Sequence, residues 1–217
     1  MLFPLATSTK RRVRSWGTWT LVAANIAVFL WTKNDLPAAV QRWGFVPDQL
    51  TLASGLSHSH LPTLVTHAFL HGSWWHIGTN MWFLFVFGSS VEQSLPGWRL
   101  WVAFILAALV AALIHLLFDS RGAIPCVGAS GAVSAMLGTY LTLEGRRGRV
   151  VSLGPLLLLT ETPGWFFVGV WFVLQLVGLS EAQNWLHTDN NIAWYAHLGG
   201  FAAGVACGLA VRRSRHA

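Results

Sequence analysis

Ser130, His197, His76 and Asn80 are the residues whose types could do chemistry together. A serine hydroxyl is a weak nucleophile until a base takes its proton. An imidazole is a suitable base near neutral pH. Acyl transfer also needs donors aimed at the developing oxyanion, each worth about 10²–10³ in rate. His76, Asn80 and the backbone N–H of Ser130 are the candidates for that task. No Asp or Glu clearly belongs to a third triad position, so the pattern reads as a Ser–His dyad.

The spacing around each residue agrees. His76 and Asn80 are four apart and share one helix face. Gly200, Gly204 and Gly208 follow His197 on one face, and Ser130, Ser134 and Gly138 repeat every four residues with Gly131 and Ala135 beside them. Small residues let helices in lipid approach closely. Close approach of these two segments would bring the Ser130 hydroxyl within reach of the His197 ring. Gly128-Ala129-Ser130-Gly131 is not the strand-to-helix elbow of soluble hydrolases, which needs Gly two residues after the Ser.

The elements that must position these groups follow from composition. The 217 residues are 54% hydrophobic and 10% charged, against about 25% charged in soluble domains. Thirteen Trp and thirteen Phe favour the membrane interface. A spanning helix needs about 20 mostly apolar residues. Six stretches qualify, at roughly 16–33, 73–93, 98–118, 124–143, 162–180 and 191–211. The expected fold class is therefore all-α, a polytopic six-transmembrane-helix bundle over 16–211. A basic segment at 1–15 precedes it and a basic tail at 212–217 follows. Leu21–Trp31 is expected to be part of a retained span and not a removed signal. Both flanking segments are short, so no additional soluble domain is expected to contribute specificity.

Charge orients the bundle. Eleven of the fourteen Lys and Arg fall before the first span, between the second and third, after the fourth, or after the sixth. Lys33, Arg42 and Arg121 fall in the opposite loops. The positive-inside rule then puts both termini in the cytoplasm. The net charge of +6 forms no basic stripe on polar surface, which argues against nucleic acid as a partner. The second, fourth and sixth spans all run from outside to inside. His76, Asn80, Ser130 and His197 then lie at one depth, roughly 5–10 Å below the outer surface at 1.5 Å per residue. Polar groups inside spans are expensive, so each is a functional hypothesis by default. The loop from about 34 to 71 mixes Trp43, Phe45, Leu50, Leu52 and Leu56 with polar residues, as an interfacial segment would. Pro155, Glu161 and Pro163 interrupt the apolar run before the fifth span, which also places Leu153–Thr160 at the interface. Cys126 and Cys207 read as small buried fillers, and His115 as an interfacial histidine. His67, His71 and His76 fit a metal site only loosely; no metal or other cofactor is expected.

These residues resemble the rhomboid proteases, a helical family with six core spans that cleaves transmembrane segments within the membrane. The family's Gly-x-Ser-Gly stands at Gly128–Gly131, which implies Ser130 as nucleophile. Its Ala-His-x-x-Gly-x-x-x-Gly stands at Ala196, His197, Gly200 and Gly204, which implies His197 as base. Its His-x-x-x-x-His-x-x-x-Asn stands at His71, His76 and Asn80, which implies oxyanion donation by His76 and Asn80. Glu92 matches a glutamate the family keeps at the inner end of the same span. Two departures stand out. Many members carry an aromatic residue one turn after the nucleophile, where this chain has Ser134, so Trp194 or Tyr195 becomes a candidate for orienting His197. Some bacterial members carry a Trp-Arg pair in the first outer loop, near where Pro62-Thr63 stands here.

The resemblance implies an intramembrane serine endopeptidase of the cell membrane, opening to the outer side and acting on transmembrane protein substrates. A catalytically inactive relative that binds or escorts membrane proteins is the alternative, and the intact motifs argue against it. A transporter would predict inverted repeats with broken helices, and none is visible in the sequence. Oligomeric state and the physiological substrate are not encoded in any motif.

Overall fold

The computed structural model describes residues 3–8, 14–51, 60–144, 147–153, 159–184 and 193–214. Lys10, Arg11, Arg12, Leu52, Leu56, Arg146 and Arg215 lie outside the described residues.

The chain is mostly helical. Helix α1 (Trp16–Thr32) leads through a short turn into α2 (Leu36–Trp43). A one-turn α3 (Thr63–Thr66) precedes α4 (Trp74–Phe83), which runs through a π turn at Leu84–Gly88 into α5 (Ser89–Glu92). Then come α6 (Gly97–Phe118), α7 (Ser130–Glu144), α8 (Gly164–Asn184) and α9 (Trp194–Ser214). Among the described residues, α6 and α9 are individually long and apolar enough to cross a membrane.

Helix α7 is the hub. Every residue from Gly131 to Tyr140 is buried. Its small side chains admit three neighbours at once. On one side is the alanine face of α6 (Ala107, Ala108, Ala111), on another is α9, and on the third Tyr140 meets Phe87 edge-on at 5.3 Å. Outward-facing surface is apolar instead of charged. Leu106, Leu113 and Leu117 on α6 and Val173, Leu174 and Val177 on α8 are exposed. Trp16, Trp74, Trp98 and Trp165 stand exposed at helix starts. Such a surface suits a lipid-facing bundle with aromatic anchors at its interfaces.

Glu92 ties the bundle together. Its buried carboxylate accepts hydrogen bonds from the backbone N–H of Gly17 (2.7 Å) and Thr18 (2.8 Å) and from the Thr18 hydroxyl (2.7 Å). These are the first N–H groups of α1, which have no partner within their own helix. A negative charge there also complements the helix dipole.

Two expectations need correction. The all-α class omits a three-stranded antiparallel sheet, with β1 (Phe3–Thr7), β2 (Arg149–Leu153) and β3 (Leu159–Pro163) in that order. Its β-branched residues, Val150, Val151, Thr160 and Thr162, suit a pleated, half-buried surface. β1 lies within the basic segment at 1–15. β1 pairs with β2, and the Trp82 indole donates to the Pro4 carbonyl. The fourth helix starts at Ser130, not near 124. The preceding stretch is held extended by a two-way backbone bridge between Phe45 and Cys126 (3.1 and 2.7 Å). Gly128, at φ +123°, then turns the chain into the helix.

Replacing Glu92 by Ala is expected to lower stability by about 2–3 kcal/mol, the scale of buried hydrogen bonds to a charge. Thermal unfolding in mild detergent measures it, and Glu92→Gln should recover part of the loss.

Candidate active site

The site rests on how closely α7 and α9 approach. A Cβ on Gly200 would overlap the Gly131 carbonyl, and one on Gly204 would overlap the Ala135 carbonyl. The Thr139 hydroxyl donates across the same seam to the Gly204 carbonyl at 2.9 Å. Backbone contact of this kind needs glycine at both positions. It brings the Ser130 hydroxyl to 2.8 Å from His197 Nε2, both side chains being half-buried.

The far side of the imidazole is also engaged. His197 Nδ1 lies 2.8 Å from Oε1 of Gln175 on α8. The Trp194 ring stands edge-on to it, with centroids 5.8 Å apart. Of the two aromatic candidates for orienting His197, Trp194 is therefore the one in contact. Tyr195 turns away and stacks on Phe118 at 5.1 Å. Ser134, where many relatives have an aromatic, donates to the Ser130 carbonyl at 2.7 Å.

Residues 67–71 cradle the loop that leads into Ser130. The Gly128 N–H donates to the His67 carbonyl at 2.9 Å. The Ala129 N–H points to His71 Nε2 at 3.5 Å, while His71 Nδ1 donates to the Phe69 carbonyl at 3.4 Å. The carbonyl can only accept, so the proton sits on Nδ1 and Nε2 is free to receive Ala129. His67 Nδ1 donates in the same way to the Thr63 carbonyl at 2.9 Å. Burial pushes the His67 imidazole down to about 4, so it stays neutral at physiological pH.

His76 reaches the same place from α4. The Ser73 hydroxyl caps this helix by accepting from the His76 N–H at 3.1 Å. The Gly72 N–H points at His76 Nδ1 (3.4 Å), which leaves Nε2 to carry the proton. That nitrogen faces Gly128, where an added Cβ would sit 2.7 Å from it. Asn80 is buried one turn further on, and its amide donates to the His76 carbonyl at 2.9 Å. The structure thus joins Ser130, His197, His76 and His71 around residues 128–130, with Asn80 attached through the backbone of His76. Glu92 lies apart from the site, as the cap on α1. Gln175 was missed in the sequence, although a lone amide within an apolar helix is a signal in its own right.

The family described as Rhomboid domain matches residues 58–214, so the chain belongs to the rhomboid family. It is similar to the mitochondrial Rhomboid protein 1 of Saccharomyces cerevisiae, at 28% identity over 90% of this chain and 53% of that protein. It is also similar to the Rhomboid protease GlpG of Photorhabdus laumondii, at 30% identity over 70% of this chain and 51% of that one. A shorter match, 39% identical over 32% of this chain and 24% of the relative, joins it to the chloroplastic Rhomboid-like protein 11 of Arabidopsis thaliana. The chain spans about half or less of the length of these relatives.

Gly200→Ala should force α7 and α9 apart and break the Ser130–His197 hydrogen bond. The rate at which a fluorophosphonate labels Ser130 is expected to fall by more than about tenfold, the loss that follows when a positioned base is withdrawn.

Proposed function

We propose that this chain is an intramembrane serine endopeptidase that cleaves transmembrane segments of membrane proteins. The observation that carries the reading is the 2.8 Å contact between the Ser130 hydroxyl and His197 Nε2, formed by two helices in glycine-mediated contact.

Ser130 is the nucleophile and His197 the base. Nε2 takes the hydroxyl proton as Oγ attacks the scissile carbonyl, and then returns it to the leaving amine. Water hydrolyses the resulting acyl-enzyme with the same histidine as base. Negative charge on the tetrahedral oxygen develops at the N-terminus of α7. The N–H groups of that helix's first turn have no intrahelical partner, and its dipole favours an anion. The His76 Nε2–H points to the same region, and the second amide proton of Asn80 completes the donor set. His71 holds the loop that presents these groups. Gly128, Gly131, Gly200 and Gly204 permit the approach, and Glu92 holds α1 in place. No step calls for a metal or other cofactor.

The membrane domain spans 16–211 with six crossings: α1, the α4–α5 run, α6, α7, α8 and α9. Two observations support this count. The exposed faces of α1, α6 and α8 are apolar, and the basic residues alternate between the connections. The charge bias puts the basic segments before α1 and after α9 on the cytoplasmic side of the cell membrane. Ser130, His197 and His76 then open to the outer face. A substrate helix must unwind locally there, because helical backbone is otherwise hydrogen-bonded to itself. Small or helix-breaking residues near the cut are the expected preference.

The test uses purified protein in mild detergent with a transmembrane substrate. The native chain should cleave, while Ser130→Ala and His197→Ala should each lose more than about 10³-fold, as members of one catalytic unit do. His76→Ala should lose about 10²-fold, the scale of one oxyanion donor. Cleavage by Ser130→Ala would remove the nucleophile assignment. Failure of Ser130 to react with a fluorophosphonate would favour the inactive relative that binds or escorts membrane proteins.

A further inference from the structure

Gln175 is the twelfth residue of α8, buried in a helix whose neighbouring residues are nearly all apolar. A polar side chain in that setting needs a reason. Its amide makes two contacts, and together they define its orientation. Nε2 donates to the Trp171 carbonyl at 3.3 Å. That carbonyl can only accept, so a flipped amide would set two acceptors against each other. Oε1 must therefore face His197 Nδ1, at 2.8 Å. An acceptor there requires the proton to be on Nδ1, which leaves the lone pair of Nε2 directed at the Ser130 hydroxyl. This is the tautomer a general base needs.

Packing on both sides of Gln175 keeps it facing α9. One turn before it, Phe172 meets Phe201 of α9 with centroids 4.9 Å apart, and Trp171 meets the same ring at 6.0 Å. One turn after it, Gly178 leaves room for the Trp194 ring, which a Cβ at that position would overlap. The Trp194 ring in turn stands against His197. The imidazole is thus held by an amide on Nδ1, a hydroxyl on Nε2 and an indole on its flank.

We propose that Gln175 is a positioning residue for His197, a neutral third member that fixes the tautomer and ring orientation of the base. The inference rests on the assignment of Ser130 and His197 as nucleophile and base. It gives α8 a part in catalysis: the base is correctly set only while α8 and α9 remain packed. It also accounts for the departure at Ser134, because the orienting contact comes from a different helix.

The test follows labelling of Ser130 by a fluorophosphonate in purified full-length protein, with saturation kinetics across pH. In labelling, Oγ bonds to phosphorus, fluoride leaves and the hydroxyl proton passes to His197. Gln175→Leu removes the acceptor at similar size. The maximal labelling rate should fall by about 10–100-fold with half-saturation little changed, since an unanchored ring samples the wrong tautomer. Gln175→Glu restores an acceptor and should recover most of the rate. Its carboxylate favours the imidazolium, so the acid limb of the pH–rate profile should move to higher pH. Among the described residues, His76 and His115 are the other ionisable groups that act on His197, and neither lies on α8. A shift seen only in Gln175→Glu is therefore due to the new contact, and a general loss of folding would not produce it.

Labelling of Gln175→Leu at the native rate would overturn the inference alone, as would a Gln175→Glu profile whose acid limb does not move. Native protein that shows no Ser130-dependent labelling would overturn the hydrolase reading itself.

Discussion

A serine on one helix and a histidine on another can share a proton only if the two backbones nearly touch. Side chains of ordinary size hold helix axes 8–10 Å apart, and at that spacing a serine hydroxyl is too short to reach. Here Gly200 and Gly204 lie directly against the carbonyls of Gly131 and Ala135. In lipid, no hydrophobic drive pulls helices together, so dispersion contact and interhelical hydrogen bonds must do so. The Thr139–Gly204 bond supplies one of them at the buried seam. The rest of the architecture serves this contact. The alanine face of α6 fits α7 because both surfaces are small, and α1 is secured at the far end by Glu92.

Residues 122–129 show how irregular backbone enters the bundle, from exposed Ala123, Ile124 and Pro125 to buried Gly128 and Ala129. Free N–H and C=O groups would be costly there, and neighbouring segments satisfy them one by one. Phe45 and Cys126 exchange two hydrogen bonds, the Asp48 N–H donates to the Gly122 carbonyl, and the carbonyl of His67 and the ring of His71 take Gly128 and Ala129. The connection between α1 and α4 is thus more than a cover. Its conformation and that of the loop before Ser130 are joined by hydrogen bonds, so disturbance of either reaches Ser130.

The same economy explains the histidines. His67, His71, His76 and His197 each have one ring nitrogen facing a group that decides the tautomer. Two of them brace the loop before Ser130, one turns a ring nitrogen to Gly128, and one sets a ring nitrogen against the Ser130 hydroxyl. Their roles differ by partner and not by residue type, and no charged group is needed to separate them.

Much of the site was readable in the sequence because polar residues in apolar spans are rare and costly. Ser130, His197, His76 and Asn80 stood out against their surroundings, and the four-residue spacing of small residues pointed to close packing. Most helix limits were readable for the same reason, since lipid rewards long apolar runs. The sheet escaped because β2 and β3 are short and flank an apolar stretch that reads equally well as interface. The start of α7 escaped because Cys126 and Val127 are as apolar as a helix would be, and only pairing with Phe45 keeps them extended. Asn80 was assigned to the oxyanion site by its type, spacing and motif, and its observed bond goes to its own helix. The contact of Gln175 with His197 was beyond the sequence for a geometric reason. Whether a side chain on α8 meets His197 depends on how α8 is rotated about its axis, and that rotation is set by Phe172, Trp171 and Gly178 packing against α9. Residue type and spacing determine which groups are available and on which helix face they lie. Only the packing of one helix against another decides which of those faces meet.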